Sequence, residues 1–168
     1  NGRLAAVLLQ FPYSFHYEPG NRRYLAGLCD VFSDRPIAVE LRNREWQQDS
    51  VFEELERRNI AYVMVDYPPI DSLPDRIARV TAPLAYLRFH GRNSESWWTG
   101  DNKSRYDYLY DDKELDEWTD KIAWSAGKAR ILIVMFNNHW RGQAVRNAGR
   151  LREMLEKRDD LSVHRPNT

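Results

Sequence analysis

A single cysteine, Cys29, leaves no partner for an intrachain disulfide, and it rules out the paired-cysteine frameworks of zinc and redox modules. No apolar run approaches the ~20 residues needed to cross a bilayer, and no secretory leader is recognisable, so the reading is a cytoplasmic protein without a membrane partner. Charge of one sign is missing as well. Twenty-five basic residues balance twenty-five acidic ones, so no global field draws the chain to nucleic acid, and any basic site must be local. There is no Walker loop, no Rossmann glycine pattern and no nucleophile elbow. Histidine is scarce, four in all, which is thin for a multi-zinc centre; no metal is expected and no particular cofactor is called for. At 168 residues the chain is one domain's worth, and a mean hydropathy of -0.71 points to a compact or incomplete core.

What the chain does have is five short apolar runs that end abruptly in polar residues: Leu4–Phe11, Pro36–Arg42, Tyr62–Asp66, Leu84–Phe89 and Ile131–Phe136. Helical patterns lie between them. Ser50-Val51-Phe52-Glu53 has capping-box spacing ahead of Leu55, and Asp111 to Glu114 repeats it before Leu115, Trp118 and Ile122. Gly142-Gln143 opens a helix carrying Ala144, Ala148, Leu151 and Leu155, and a further helix spans Asn21–Phe32. Four prolines between Asp66 and Leu84 leave mostly loop there, with one turn near Asp75–Arg79.

Alternation of this kind predicts α/β with a parallel sheet, and by count alone five strands fit a flavodoxin-like doubly wound domain. Several segments point elsewhere. Leu9-Gln10-Phe11-Pro12, Val39-Glu40-Leu41-Arg42 with Trp46, Tyr86 to Arg92, Arg105 to Tyr110, and Phe136-Asn137-Asn138-His139 leading to Gly142-Gln143-Ala144-Val145 resemble, in this order, the YecE-like family, number seventy-two among the domains of unknown function. The resemblance implies a partial TIM-type (β/α) barrel: residues 3–157 would supply the last five parallel strands of eight, in sequential order, with 158–168 a frayed tail. The absence of an initiating Met and the early first strand fit a chain whose upstream strands are missing.

Strand parity locates a site. Successive strand residues face opposite ways, so Arg88 and His90 oppose Leu87 and Phe89, and Glu40 and Arg42 oppose Val39 and Leu41. The polar parity is expected to face the barrel axis, with Gln10 and Asp66 at matching ends. His90, Glu40 and Asp66 are the residues suited to proton transfer; Arg88 and Arg92 suit an oxyanion by their planar donor forks, with Arg42 beside them. Asn137 and Asn138 precede a helix start, where loop amides hold anions. The same residues fit a second reading, in which Glu40, Arg42 and Arg88 form a structural charge network and Asp66 caps a turn.

The segment Gly91–Asp112 carries Trp97, Trp98, Tyr106, Tyr108 and Tyr110 with Arg92, Lys103 and Arg105. Such a mixture stacks bases or sugar rings, or packs its rings on the barrel top. Two functions follow: a hydrolase or lyase acting on a small anionic or phosphate-bearing ligand, or a non-catalytic protein that binds nucleic acid or another anion.

Overall fold

The computed structural model describes residues 4–161. Strands β1 (Val7–Phe11), β2 (Ile37–Leu41), β3 (Ala61–Asp66), β4 (Leu84–Phe89) and β5 (Ile131–Phe136) lie side by side in chain order. All four pairings are parallel. This is the sequential order of a (β/α)-barrel segment, and it overturns the doubly wound alternative. The helices are α1 (Pro19–Val31), α2 (Asp49–Arg57), the one-turn α3 (Asn102–Arg105), α4 (Asp112–Lys128) and α5 (Gln143–Leu155).

The two faces of the sheet are covered differently. Leu9, Val39, Leu41, Met64, Leu87 and Phe89 pack against Leu25 of α1, Leu55 of α2, Leu115 and Trp118 of α4 and Leu151 of α5. The opposite parity, Ala38, Val63, Val65 and Tyr67, packs with neighbouring strand residues such as Leu8, Leu84 and Ile133 and with loop residues such as Leu73 and Trp97, and among the described residues this cluster holds none from α1, α2, α4 or α5. Helices therefore cover one face, as barrel crossovers do, whereas a doubly wound sheet has them on both. The site belongs to the other face.

Local chemistry explains most boundaries. Pro19 starts α1, where its missing N–H is no loss. Helix α4 begins with a complete capping box, Asp111 accepting from the Glu114 amide and Glu114 accepting from the Asp111 amide. The box expected at Ser50 does not form: α2 starts two residues earlier, behind Gln48 as N-cap, whose side chain donates instead to the Glu45 carbonyl at 2.7 Å. Residues 75–79 form no helical turn; the Ile77 amide instead donates to the Asp75 carbonyl at 2.9 Å, a tight three-residue turn. Gln47 pins that segment with two further bonds to the Asp75 backbone, 2.7 and 3.0 Å. Part of the expected tail, beyond Leu161, lies outside the described residues; before it, Arg158 pairs with Asp120 and Asp160. Among the described residues no helix is long and apolar enough to cross a membrane.

Candidate functional site

Strand register brings the site together. Gln10 of β1 is level with Glu40 of β2, and Val65 of β3 is level with Arg88 of β4. Residues level with one another share a face, so Gln10, Glu40 and Arg88 project from the loop-covered side. Arg42 and His90 continue that parity just past the ends of their strands.

Glu40 is the centre. Its Oε1 accepts from Arg42 Nε at 3.0 Å and from the Tyr67 hydroxyl at 2.9 Å, and its Oε2 accepts from Arg88 Nη1. The same guanidinium donates to Gln10 Oε1 at 2.5 Å, so it links β1 to β4 across β2 and β3. Carboxylate and imidazole are both fully buried, and His90 Nε2 lies 3.3 Å from Glu40 Oε1. Among the described residues neither ring nitrogen of His90 has a hydrogen-bond partner, although the ring stacks on Tyr67 with centroids 4.6 Å apart. An unsatisfied buried polar group of this kind calls for an explanation.

Electrostatics sort the roles. Burial by itself raises the pKa of Glu40, but the His90 contact and the charges of Arg88 and Arg42 outweigh it and hold the carboxyl well below the usual range. Burial lowers the pKa of His90, against the pull of Glu40, and favours the neutral ring. Two guanidiniums then face one carboxylate, and no second carboxylate pairs with either among the described residues. The cluster carries one uncompensated positive charge.

Asp66 is elsewhere. Register places it level with Phe89, and it shares its parity with Tyr62 and Met64, facing the helices. There it accepts from Tyr110 Oη at 2.7 Å, Trp118 Nε1 at 2.7 Å and Arg92 Nη2 at 2.7 Å. Arg92, 8% exposed, is further held by Glu117 at 2.9 Å. The expected convergence of Asp66 and Arg92 with Glu40 and His90 is thus corrected: the pair ties β3 and β4 to α4, and its guanidinium already meets Asp66, Glu114 and Glu117. An oxygen-rich trio of Glu40, Asp66 and His90 is not assembled, and among the described residues no group of three His, Cys, Asp or Glu is placed to hold a metal.

The remaining expectations divide the same way. Asn138 is fully buried and donates to the Tyr108 carbonyl and to Asn147 Oδ1, both at 2.8 Å, which docks α5, while its own Oδ1 has no hydrogen-bond partner among the described residues. Asn137 is half-buried, and its amide extends the ladder to the Phe89 carbonyl at 2.7 Å. Trp97 is buried edge-on to Tyr67 at 5.2 Å, and Tyr106 lies between His90 and His139, 6.2 and 5.6 Å away. Trp98 is half exposed, edge-on to Tyr13 at 4.8 Å. Gly91, at φ +92°, lets the returning loop close in: a Cβ there would stand 2.9 Å from that of Tyr108. Sequence reasoning missed Tyr67 and Tyr13. Tyr67 was legible as the next position after Val63 and Val65; for Tyr13, beyond the end of β1, no signal stood out.

The family model described as "Protein of unknown function DUF72" matches residues 1–168. The UPF0759 protein YunF of Bacillus subtilis (strain 168) is 29% identical in an alignment 167 residues long that covers 93% of this chain and 59% of that protein. A crystal structure of a DUF72 family protein from Thermotoga maritima MSB8 superposes with a TM-score of 0.88 at 35% identity, over 92% of this chain and 59% of that one. One from Enterococcus faecalis V583 gives 0.87 at 31% identity, over 99% and 63%. The chain thus spans less than two thirds of the length of these relatives. With its whole length matched by the family model and its sequential parallel sheet shared with these solved structures, the chain belongs to the DUF72 family.

Proposed function

We propose that this protein binds a small anionic or phosphate-bearing substrate at the carboxyl ends of β1, β2 and β4, and acts on it as a hydrolase or lyase with His90 as the proton carrier. The observation that carries the reading is the fully buried His90 ring, without a hydrogen bond, beside a cluster with one surplus positive charge. Arg42 and Arg88 supply forked donors for an oxyanion. Glu40 stays ionised and attracts the Nε2 side of the ring, 3.3 Å from its Oε1 and not hydrogen-bonded to it, which leaves Nδ1 of the neutral ring as the base. Ser-His-Asp chemistry uses the same division of labour between a base and its orienting carboxylate.

One feature supports a second reading, a binding protein for nucleic acid or another anion without turnover. His90 is sealed beneath Tyr67 and Tyr106, so a reacting atom reaches it only if the aromatic loop moves.

Calorimetric titration of the full chain with inorganic phosphate, paired with a turnover assay on 4-nitrophenyl phosphate, separates the two. Arg88→Met should weaken phosphate about tenfold or more, in line with the loss of a charge-assisted contact. His90→Gln should preserve phosphate binding and abolish turnover. If Arg88→Met fails to fold, the double variant with Glu40→Gln removes the stranded carboxylate and permits the same measurement. Phosphate binding with no turnover in the parent chain favours the second reading. Absence of phosphate binding overturns both.

A further inference from the structure

We propose that the anion taken at this site is carried on a ring with an apolar face, and that Trp98, edged by Tyr13, is the platform on which that face stacks. The inference rests on the anion-binding reading above and narrows its substrate class. Tyr13 follows β1 and Trp98 belongs to the loop after β4, with β2 and β3 between them. Their contact at 4.8 Å therefore spans the two central strands, as the Gln10 to Arg88 hydrogen bond does, and those strands bring Glu40 and Tyr67 to the face below.

Neighbouring residues fix the platform at both ends. Trp97 is 4% exposed and packs edge-on to Tyr67, whose hydroxyl is bound to Glu40, so the adjacent Trp98 is anchored beside the charge cluster. Tyr13 is held by Asn43, which donates to its carbonyl at 3.1 Å, and its ring leans on His16 at 5.9 Å. Yet Trp98 itself keeps 49% of its surface in solvent. A large ring held in place but left uncovered, above an uncompensated positive charge, matches a ligand with an apolar face at one end and an oxyanion at the other. Aromatic bases and pyranose sugars both offer such a face.

The test titrates the full chain with inorganic phosphate, phenyl phosphate, glucose 6-phosphate and the flexible n-butyl phosphate. The ring should strengthen binding about tenfold over inorganic phosphate, the scale of one stacking contact, with n-butyl phosphate gaining less. Gain confined to phenyl phosphate identifies an aromatic source, and gain confined to glucose 6-phosphate a sugar. Trp98→Ala should erase the gain and leave inorganic phosphate unchanged, and Trp98→Phe should restore most of it. If inorganic phosphate binds but neither ring adds affinity, the ring inference falls and the anion reading stands. If the gain survives Trp98→Ala in a folded variant, the platform is misplaced and the inference falls. If no phosphate binds, both fall.

Discussion

At the residue scale, His90 and Glu40 set the acid behaviour of the molecule. The folded imidazole resists protonation because burial lowers its pKa, while the unfolded chain protonates at ~6.5. Between those values the unfolded state binds more protons, so stability rises with pH, is fully present above ~6.5 and drains away on acidification. Glu40 acts in the same direction in a lower window: its folded pKa is depressed, so its contribution is present above ~4.3 and is lost as pH falls further. Urea unfolding from pH 8 to 3 should therefore show a flat region, a decline beginning near 6.5 and a steeper one in the carboxylate range. His90→Gln should remove the first decline and keep the second. Stability that instead increases from pH 7 to 5.5 would mean a protonated His90 paired with Glu40, and the neutral-base role would be lost.

At the scale of elements, the buried Asp66 and Arg92 pair works as a joint between β3, β4 and α4, and it is expected to matter for folding and not for ligand. Asp66→Ala leaves Arg92 and the donors of Tyr110 and Trp118 unmet by that carboxylate, so a loss of about 3–5 kcal/mol is expected from chemical denaturation, where breaking a buried pair is costly. Phosphate affinity of the folded fraction should not change. A weakened affinity at intact stability would return Asp66 to the site. This joint also shows what the sequence could and could not tell. The five strands, the Asp111 capping box and the parity of Glu40 with Arg42 and of Arg88 with His90 were legible because period-two alternation and capping are local. The face of Asp66 was not, since it depends on where β3 ends and how it registers with β4, and Asp66 stands level with Phe89 although the chain separates them by a proline-rich loop. The unused box at Ser50 failed for a related reason: Gln48 turned its side chain to Glu45, and the helix began before the motif.

For the whole molecule, the sequential sheet has two outer strands, β1 and β5, and three inner ones, and the inner ones are the better covered. Strands β2 and β3 are buried along their full length, whereas β5 has Ile131 60% exposed and Met135 47% exposed. The crystal structures of longer DUF72 proteins, of which this chain spans about three fifths, superpose on it over most of its length. In the 168-residue chain, an outer strand pairs on one side only and presents free backbone groups on the other, which is a template for association. Opening should therefore be graded: amide protons of β3 and β4 that bond within the sheet exchange only on global unfolding, and those of β5 exchange through cheaper local fraying. Hydrogen exchange resolved by mass spectrometry on the 168-residue chain should give the greatest protection in peptides over 61–66 and 84–89, and markedly less over 131–136. Raising the protein concentration should slow exchange in β5 first if that edge pairs with another copy. Uniform protection across all five strands at every concentration would mean that β5 is as firmly held as the centre, and that α5, docked through Asn138 and Asn147, is enough to secure it.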